Sequence, residues 1–197
     1  MNGDVQENLR TKVYSLQIIK KTMVNQKSRY RLVIRRATSD DLPIIKPLYS
    51  QLTSDTANVE KDFPTILNNS NSICLIIEKE KENIGKNESE NRKEKENRKE
   101  KGIPIGMAVC YVRTSLSSGR KMVIDEIIID APYQGRGYGR ALMEHCITMA
   151  KNMGLDCIEL ACALTRTDLH TFYEGLGFAH TMRWYHLFLG DEQNESE

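Results

Sequence analysis

The segment Gln134-Gly135-Arg136-Gly137-Tyr138-Gly139 sets three glycines at alternate positions, after an apolar run from Met122 to Ile129 and before residues with helical periodicity. A strand, a glycine-rich turn and a helix in that order can hold a phosphate, because turn and helix N-terminus present unpaired backbone N–H groups toward one point. Gly135, Gly137 and Gly139 let the backbone approach an anion without Cβ interference, and the polarity of the helix N-terminus favours it. Arg136 and Arg140 add positive charge at the rim. Two common phosphate loops are excluded by spacing. There is no Gly-Lys-Ser/Thr triplet, and G-x-G-x-G lacks the second spacer of the dinucleotide fingerprint. No acid ends a strand about 20 residues on to hold a ribose, since Asp156 precedes its strand.

The elements that must position this turn follow from the apolar pattern. Arg31 to Ala37 reads as a strand, and Thr38 or Ser39 before Asp40 and Asp41 as a helix start running to about Leu52, with Leu42, Ile45, Leu48, Tyr49 and Leu52 at helical spacing. A second helical piece fits Glu60 to Leu67. Ser72 to Ile77, Ile103 to Val112 and Met122 to Ile129 have strand length and composition. Leu142, Cys146, Met149 and Met153 mark one helix face closed by Gly154. Cys157 to Cys162 reads as a strand, Leu169, Phe172 and Leu176 as a helix closed by Gly177, and Met182 to Leu189 as a last strand. Strands before, between and after helices imply a mixed sheet flanked by helices.

Residues 1–30 read as an N-terminal extension, flexible or marginally helical around Val13 to Ile19, followed by one domain at 31–190 and a polar tail at 191–197. The segment 79–102 is almost wholly charged or amide and contains a tandem hexamer, Glu90 to Lys95 and Glu96 to Lys101. It cannot bury apolar area against its ordering entropy, so it reads as a solvated insertion between two strands.

Composition narrows the partners. Lys and Arg number 28 against 27 Asp and Glu, a balance that predicts no nucleic-acid partner and no attraction to an anionic membrane. No apolar run reaches the roughly 20 residues of a membrane span, and the polar start resembles no signal peptide, so a cytoplasmic protein is expected. The five cysteines form no CxxC pair, and with four histidines and no HExxH no metal site is expected.

Gln134-x-x-Gly137-x-Gly139 resembles the Q/R-x-x-G-x-G/A acyl-CoA signature of the GNAT superfamily, placed as there after an apolar strand and before a long helix. Leu169 to Phe178, with Phe172-Tyr173 and Gly177-Phe178, resembles its second signature, FYxxxGF. The likeness spans about Leu32 to Leu189, excluding the charged insertion, with a weaker likeness near Arg166 to Tyr173 to aminoalkylphosphonate acetyltransferases. It implies an α/β (α+β) acyl-CoA N-acyltransferase fold, with a mixed sheet of about six to seven strands and about four helices.

It also implies acetyl-CoA as cosubstrate and a primary amine, small molecule or protein, as acceptor, attacked directly, in a monomer or homodimer. The diphosphate would sit on the amides of Gly135 to Arg140, and the pantetheine arm on the backbone edge of Ile127, Ile128 and Ile129. Arg166 stands where many members carry a cofactor-contacting asparagine, and Phe172 belongs to the same cofactor signature. Tyr173 matches the family's acid for the departing thiolate. A protonated amine needs a base, and Asp125 and Glu126 are adjacent on the strand leading into the cradle; position 125 matches the place where several family members carry a glutamate, with Asp here one methylene shorter. As neighbours on a strand they should face opposite ways, one into the cleft, directly or through a water. The rival reading is a non-catalytic acyl-CoA-binding module of the same fold.

Overall fold

The computed structural model describes residues 19–25, 28–53, 56–81 and 102–187. Six strands form one sheet in sequence order: β1 Ile19–Asn25, β2 Ser28–Arg36, β3 Ser72–Lys81, β4 Ile103–Ser115, β5 Gly119–Ile129 and β6 Cys157–Leu160. The first five run antiparallel as a meander, and β6 pairs parallel to β5. A parallel pair needs a crossover, which is supplied here by a long helix. The described residues hold four α-helices: α1 Leu42–Tyr49, α2 Ala57–Asn68, α3 Tyr138–Asn152 and α4 Thr167–Glu174.

Both faces of the central strands are covered, which is why β3 and β4 read as unbroken apolar runs rather than alternating ones. On one face Ile45 and Leu48 of α1 and Val59 and Phe63 of α2 pack on Cys74, Ile76, Met107, Val109 and Ile128. The opposite face takes α3. Its Leu142, Met143, Cys146 and Met149 are buried, and the Cys146 thiol, beside that of Cys110 in β4, raises it together with burial. Gly154 ends the helix with a φ of +64, a conformation that costs a residue with Cβ about 1–2 kcal/mol.

The start of α1 is tied to the sheet by a buried ion cluster. Arg35 of β2 donates to both oxygens of Asp41, at 2.7 and 2.8 Å, and to Glu78 of β3 at 3.0 Å. Asp41, 2% exposed, also accepts from the Thr38 N–H at 2.8 Å, so the residue expected merely as a first-turn acid links helix, loop and two strands. The Arg35 guanidinium holds the Asp41 carboxyl below its usual range.

Three expectations need correction. Ile19–Asn25, assigned to an extension expected to be flexible or marginally helical, is a strand paired along its length with β2. Its polar sequence, Ile-Lys-Lys-Thr-Met-Val-Asn, has no amphipathic period, so its conformation is dictated by the partner rather than by its own pattern. The rest of that extension, residues 1–18, lies outside the described residues. Lys79 to Lys81 continue β3 instead of belonging to the charged insertion, of which 82–101 also lie outside them. Residues 182–187, expected as a strand, have no ladder partner and no regular structure, with Met182, Trp184, Tyr185 and Leu187 exposed. β-forming side chains do not make a strand without a neighbour to receive its hydrogen bonds.

The chain divides after Leu160 into two compact units, Met1–Leu160 with the sheet and α1 to α3, and Ala161–Glu197 with α4.

Candidate active site

In the first unit, β5 carries the site. Opposite β4 it is regular except at one point: Glu126 pairs with Val109, but the next β4 residue, Cys110, pairs with Ile124. Asp125 is therefore an extra residue, a β-bulge. The bulge changes which way the acids face. Residues paired across strands share a face, and Val109 belongs to the α1/α2 core, so Glu126 stands on that face. Asp125 lines a cleft with Tyr111 and Val123, on the same face. Regular alternation would send Asp125 and Glu126 to opposite sides; the inserted residue brings both to one. That corrects the expectation from the sequence.

Their electrostatics agree with the geometry. Burial pushes the Glu126 carboxyl up to about 7, and the charge of Asp125 adds to the shift. Glu126 Oε2 is buried without a hydrogen-bond partner among the described residues. Asp125 is also raised by burial, less the pull of Arg113. Burial raises the phenol of Tyr111, helped by Glu126 and then Asp125, and pushes the Cys74 thiol up to about 12, again with Glu126 adding. Glu126 is thus the group poised near neutrality on this face. Sequence reasoning missed Tyr111 and Arg113; the only signal was the polar turn of β4 after Cys110.

Beyond the bulge, β5 parts from β6. Their pairing ends at Ile124 with Leu160. Asp130 donates its N–H to Ile105 O at 2.9 Å, which makes Ile129 and Gly106 a non-hydrogen-bonded pair. By alternation Ile127 and Ile129 direct N–H and C=O away from β4, while Ile128 pairs its own with Met107 and buries its side chain in the core. Of the three residues expected at the open backbone edge, Ile128 is therefore turned the other way. The Ile129 carbonyl receives the Gln134 side-chain amide at 2.7 Å, which leaves Ile127 N–H, Ile127 C=O and Ile129 N–H along this edge.

The glycine turn follows. Gly135 and Gly137 have φ of +70 and +82, left-handed values at which side chains are strained, so glycine is required by conformation. Gly137 is the N-cap of α3 and offers no side-chain cap, and the first turn contains no acid. Ala141 N–H to Gly137 O, 3.0 Å, is the first intrahelical bond, so the N–H groups of Tyr138 and Gly139 point out of the helix end. Gln134, Gly135, Arg136, Gly137 and Arg140 are exposed, and the Tyr133 and Tyr138 rings flank the turn 6.4 Å apart. An uncapped helix end with two arginines, opening from an unpaired strand edge, fits a ligand with a diphosphate head and an amide-bearing arm. Gln51, beyond α1, braces this turn by donating to Asp130 Oδ1 at 2.9 Å and accepting from Ala131 N–H at 3.0 Å. No sequence signal links residues so distant in the chain.

In the second unit, Tyr173 is 8% exposed, with its ring edge-on to Phe172 and Phe178 at 5.2 and 5.9 Å. Burial raises its phenol, so it stays protonated at neutral pH. Phe178 N–H bonds Tyr173 O across the Gly177 turn at 3.1 Å. His170 contacts Ala163 O at 3.0 Å, and the exposed Arg166 stands at the N-cap position of α4 without a side-chain cap. Among the described residues there is no cluster of three metal-ligating side chains and no helix long and apolar enough to cross a membrane.

Known proteins agree with this architecture. The uncharacterized N-acetyltransferase YhdJ of Bacillus subtilis is 33% identical over 67 residues, 34% of this chain and 47% of the relative. The uncharacterized N-acetyltransferase MJ1207 of Methanocaldococcus jannaschii is 33% identical over 79 residues, 39% of this chain and 35% of that one. The chain thus spans about half the length, or less, of the curated relatives it matches. A solved aminoglycoside N-acetyltransferase, AAC(6')-Iy in complex with CoA, superposes with a TM-score of 0.63 at 17% identity, covering 84% of this chain and 98% of its own. That likeness establishes the fold. The model of the acetyltransferase (GNAT) family matches residues 56–178, more than half of the sequence and both signature segments, and the chain belongs to that family.

Proposed function

We propose that the protein transfers an acetyl group from acetyl-CoA to a primary amine. The observation that carries this reading is the β5 bulge: it turns two carboxylates to one face, one residue before a backbone edge that runs open into an uncapped, arginine-flanked helix N-terminus. The cradle from Gln134 to Arg140, with Ile127 and Ile129, would hold the diphosphate and the arm. Bound there, an acyl-CoA supplies an activated thioester, whose acyl carbon the amine nitrogen takes as the C–S bond breaks.

This chain's residues then handle protons. An alkylammonium loses its proton only above about pH 10 in water, so a free amine at neutral pH needs an acceptor near it. Glu126, half-buried and beside a second negative charge, is matched to that task. Asp125, nearer solvent, attracts the ammonium and raises the basicity of Glu126. The Ile127 N–H would polarise the carbonyl that gains charge. Tyr173 is the proposed acid that returns a proton to the departing thiolate, supported by its family position and its protonated state. The ammonium nitrogen loses two protons on becoming an amide: the first goes to the carboxylate before attack, and the second, lost after attack, makes up for the proton that Tyr173 gives to sulfur, so the products are amide, free thiol and one proton.

The test is thiol release from acetyl-CoA in the presence of a broad panel of amines, alongside acetyl-CoA binding. Amine-dependent release is expected; tight binding with no amine-dependent release would instead mark a binding module. Tyr173→Phe should slow turnover far more than it weakens acetyl-CoA binding, whereas equal losses would mean the ring only packs.

A further inference from the structure

The face that carries Asp125 and Glu126 also holds a row of charges that the proton chemistry leaves unused. Arg113 of β4 pairs with Lys121 of β5, and Glu159 of β6 with Val123, so these side chains share the face of Tyr111 and the acid pair. Lys121 is buried and donates to Glu159 Oε1 at 2.7 Å. Arg113 reaches Oε2 of the same carboxylate at a longer 3.4 Å, with 53% of its side chain in solvent. Two cations on one carboxylate leave one positive charge over. The shorter bond belongs to the buried lysine, so the surplus falls on Arg113. An exposed contact of that length is readily exchanged for a ligand's.

Arg113 and Asp125 lie on the rim of one cleft, with Asn69, Asn71, Tyr111 and Val123 between and around them. Their charges are felt across it, since Arg113 lowers the Asp125 carboxyl against the effect of burial. No ion pair joins the two among the described residues. A cation and an anion held apart in one polar cleft are complementary to a molecule that carries both signs.

We propose that this cleft selects zwitterionic amines: the ammonium on Asp125, next to Glu126 in the strand, and a carboxylate or phosphate a few bonds away on the Arg113 guanidinium, which suits a two-pronged oxygen acceptor. This rests on the acyl-transfer reading for what becomes of the amine, but not for what binds. A polyamine or a lysine-rich peptide brings a second cation against Arg113 and Lys121. A plain alkylamine leaves the Arg113 charge and the amide lining unmet.

The experiment is calorimetric binding at neutral pH, without acyl donor, of β-alanine, γ-aminobutyrate, O-phosphoethanolamine, propylamine and spermidine to wild type, Arg113→Gln and Arg113→Lys, with thiol release measured in parallel. At least one of the three acids should bind on the order of tenfold more tightly than propylamine. The carboxylate and phosphate compounds tell which anion is preferred. Arg113→Gln should erase the preference of the acids over propylamine, and Arg113→Lys should keep part of it. In turnover Arg113→Gln should raise KM for the acids relative to KM for propylamine. No binding by any acid, binding equal to propylamine, a preference for spermidine, or a preference that survives Arg113→Gln would each overturn the proposal. Preferential binding of the acids with no thiol release would instead count against acetyl transfer and leave the binding site standing.

Discussion

The glycine turn at Gln134 to Gly139 and the acid pair at Asp125 and Glu126 lie on one continuous strand, turn and helix, yet they are built by different means. The turn is made of backbone. Its positive φ values and open N–H groups belong to the segment itself, and Gln134 to Gly137 stand in solvent. The acid pair is made of register: Asp125 and Glu126 share a face only because β4 offers Val109 and Cys110 to three residues of β5. A site of the first kind tolerates changes elsewhere in the fold. One of the second kind depends on its partner strand and on how deeply it is buried.

That difference can be probed at each end. The largest expected effect is on turnover: Glu126→Gln should lower kcat/KM about 100- to 1000-fold, the usual range for a positioned base, with acetyl-CoA affinity unchanged by calorimetry. A fall in affinity of the same size would mean that the bulge and the cradle are one site rather than two. Gly137→Val is the converse. A β-branched side chain at a φ of +82 must distort the N-cap, and acetyl-CoA affinity should drop about 30- to 100-fold while circular dichroism stays that of a folded chain. Unchanged affinity would remove the cradle from the account.

A smaller effect is expected on stability. In the unfolded chain the Glu126 carboxyl ionises near 4.5, and in the folded protein near 7, because burial and Asp125 disfavour its charge. Between those values the native state keeps a proton that the unfolded state has lost, so this group's contribution falls as pH rises through the window. Glu126→Gln should therefore unfold in urea at a higher midpoint than wild type above pH 7, by about 1 kcal/mol once partial exposure is allowed for, with no advantage below pH 4.5. An equal difference at both pH values would mean that the glutamate is not buried charged.

The two regions also differ in how far the sequence discloses them. The covered strands β3, β4 and β5, the helix face of Leu142, Cys146 and Met149, and the glycine turn were legible because each depends on local pattern: unbroken apolar runs, a period of 3.6, and residues without Cβ. The fold class followed from their order. β1 was not legible, since Lys20, Lys21 and Thr22 have no core-facing alternation and are extended only through their ladder to β2. The opposite error occurred at Met182 to Leu189, where β-forming residues suggested a strand; its described part, residues 182–187, has no strand partner among the described residues. The bulge failed for the same reason: an inserted residue is defined by the strand across from it, and nothing in Ile124-Asp125-Glu126-Ile127 announces one. Arg113 and Tyr111 went unnoticed because their meaning comes from what they face.

The most direct test of the bulge as the catalytic feature is the pH profile of kcat/KM for amine acetylation in wild type and Asp125→Asn. With both acids on one face, the acid limb of the wild type should fall near pH 7, and neutralising Asp125 should move it to lower pH, because the repulsion that helps to raise Glu126 is gone. A limb that stays in place when Asp125 loses its charge would mean that the two carboxylates do not act on each other, and the account of the site would fail.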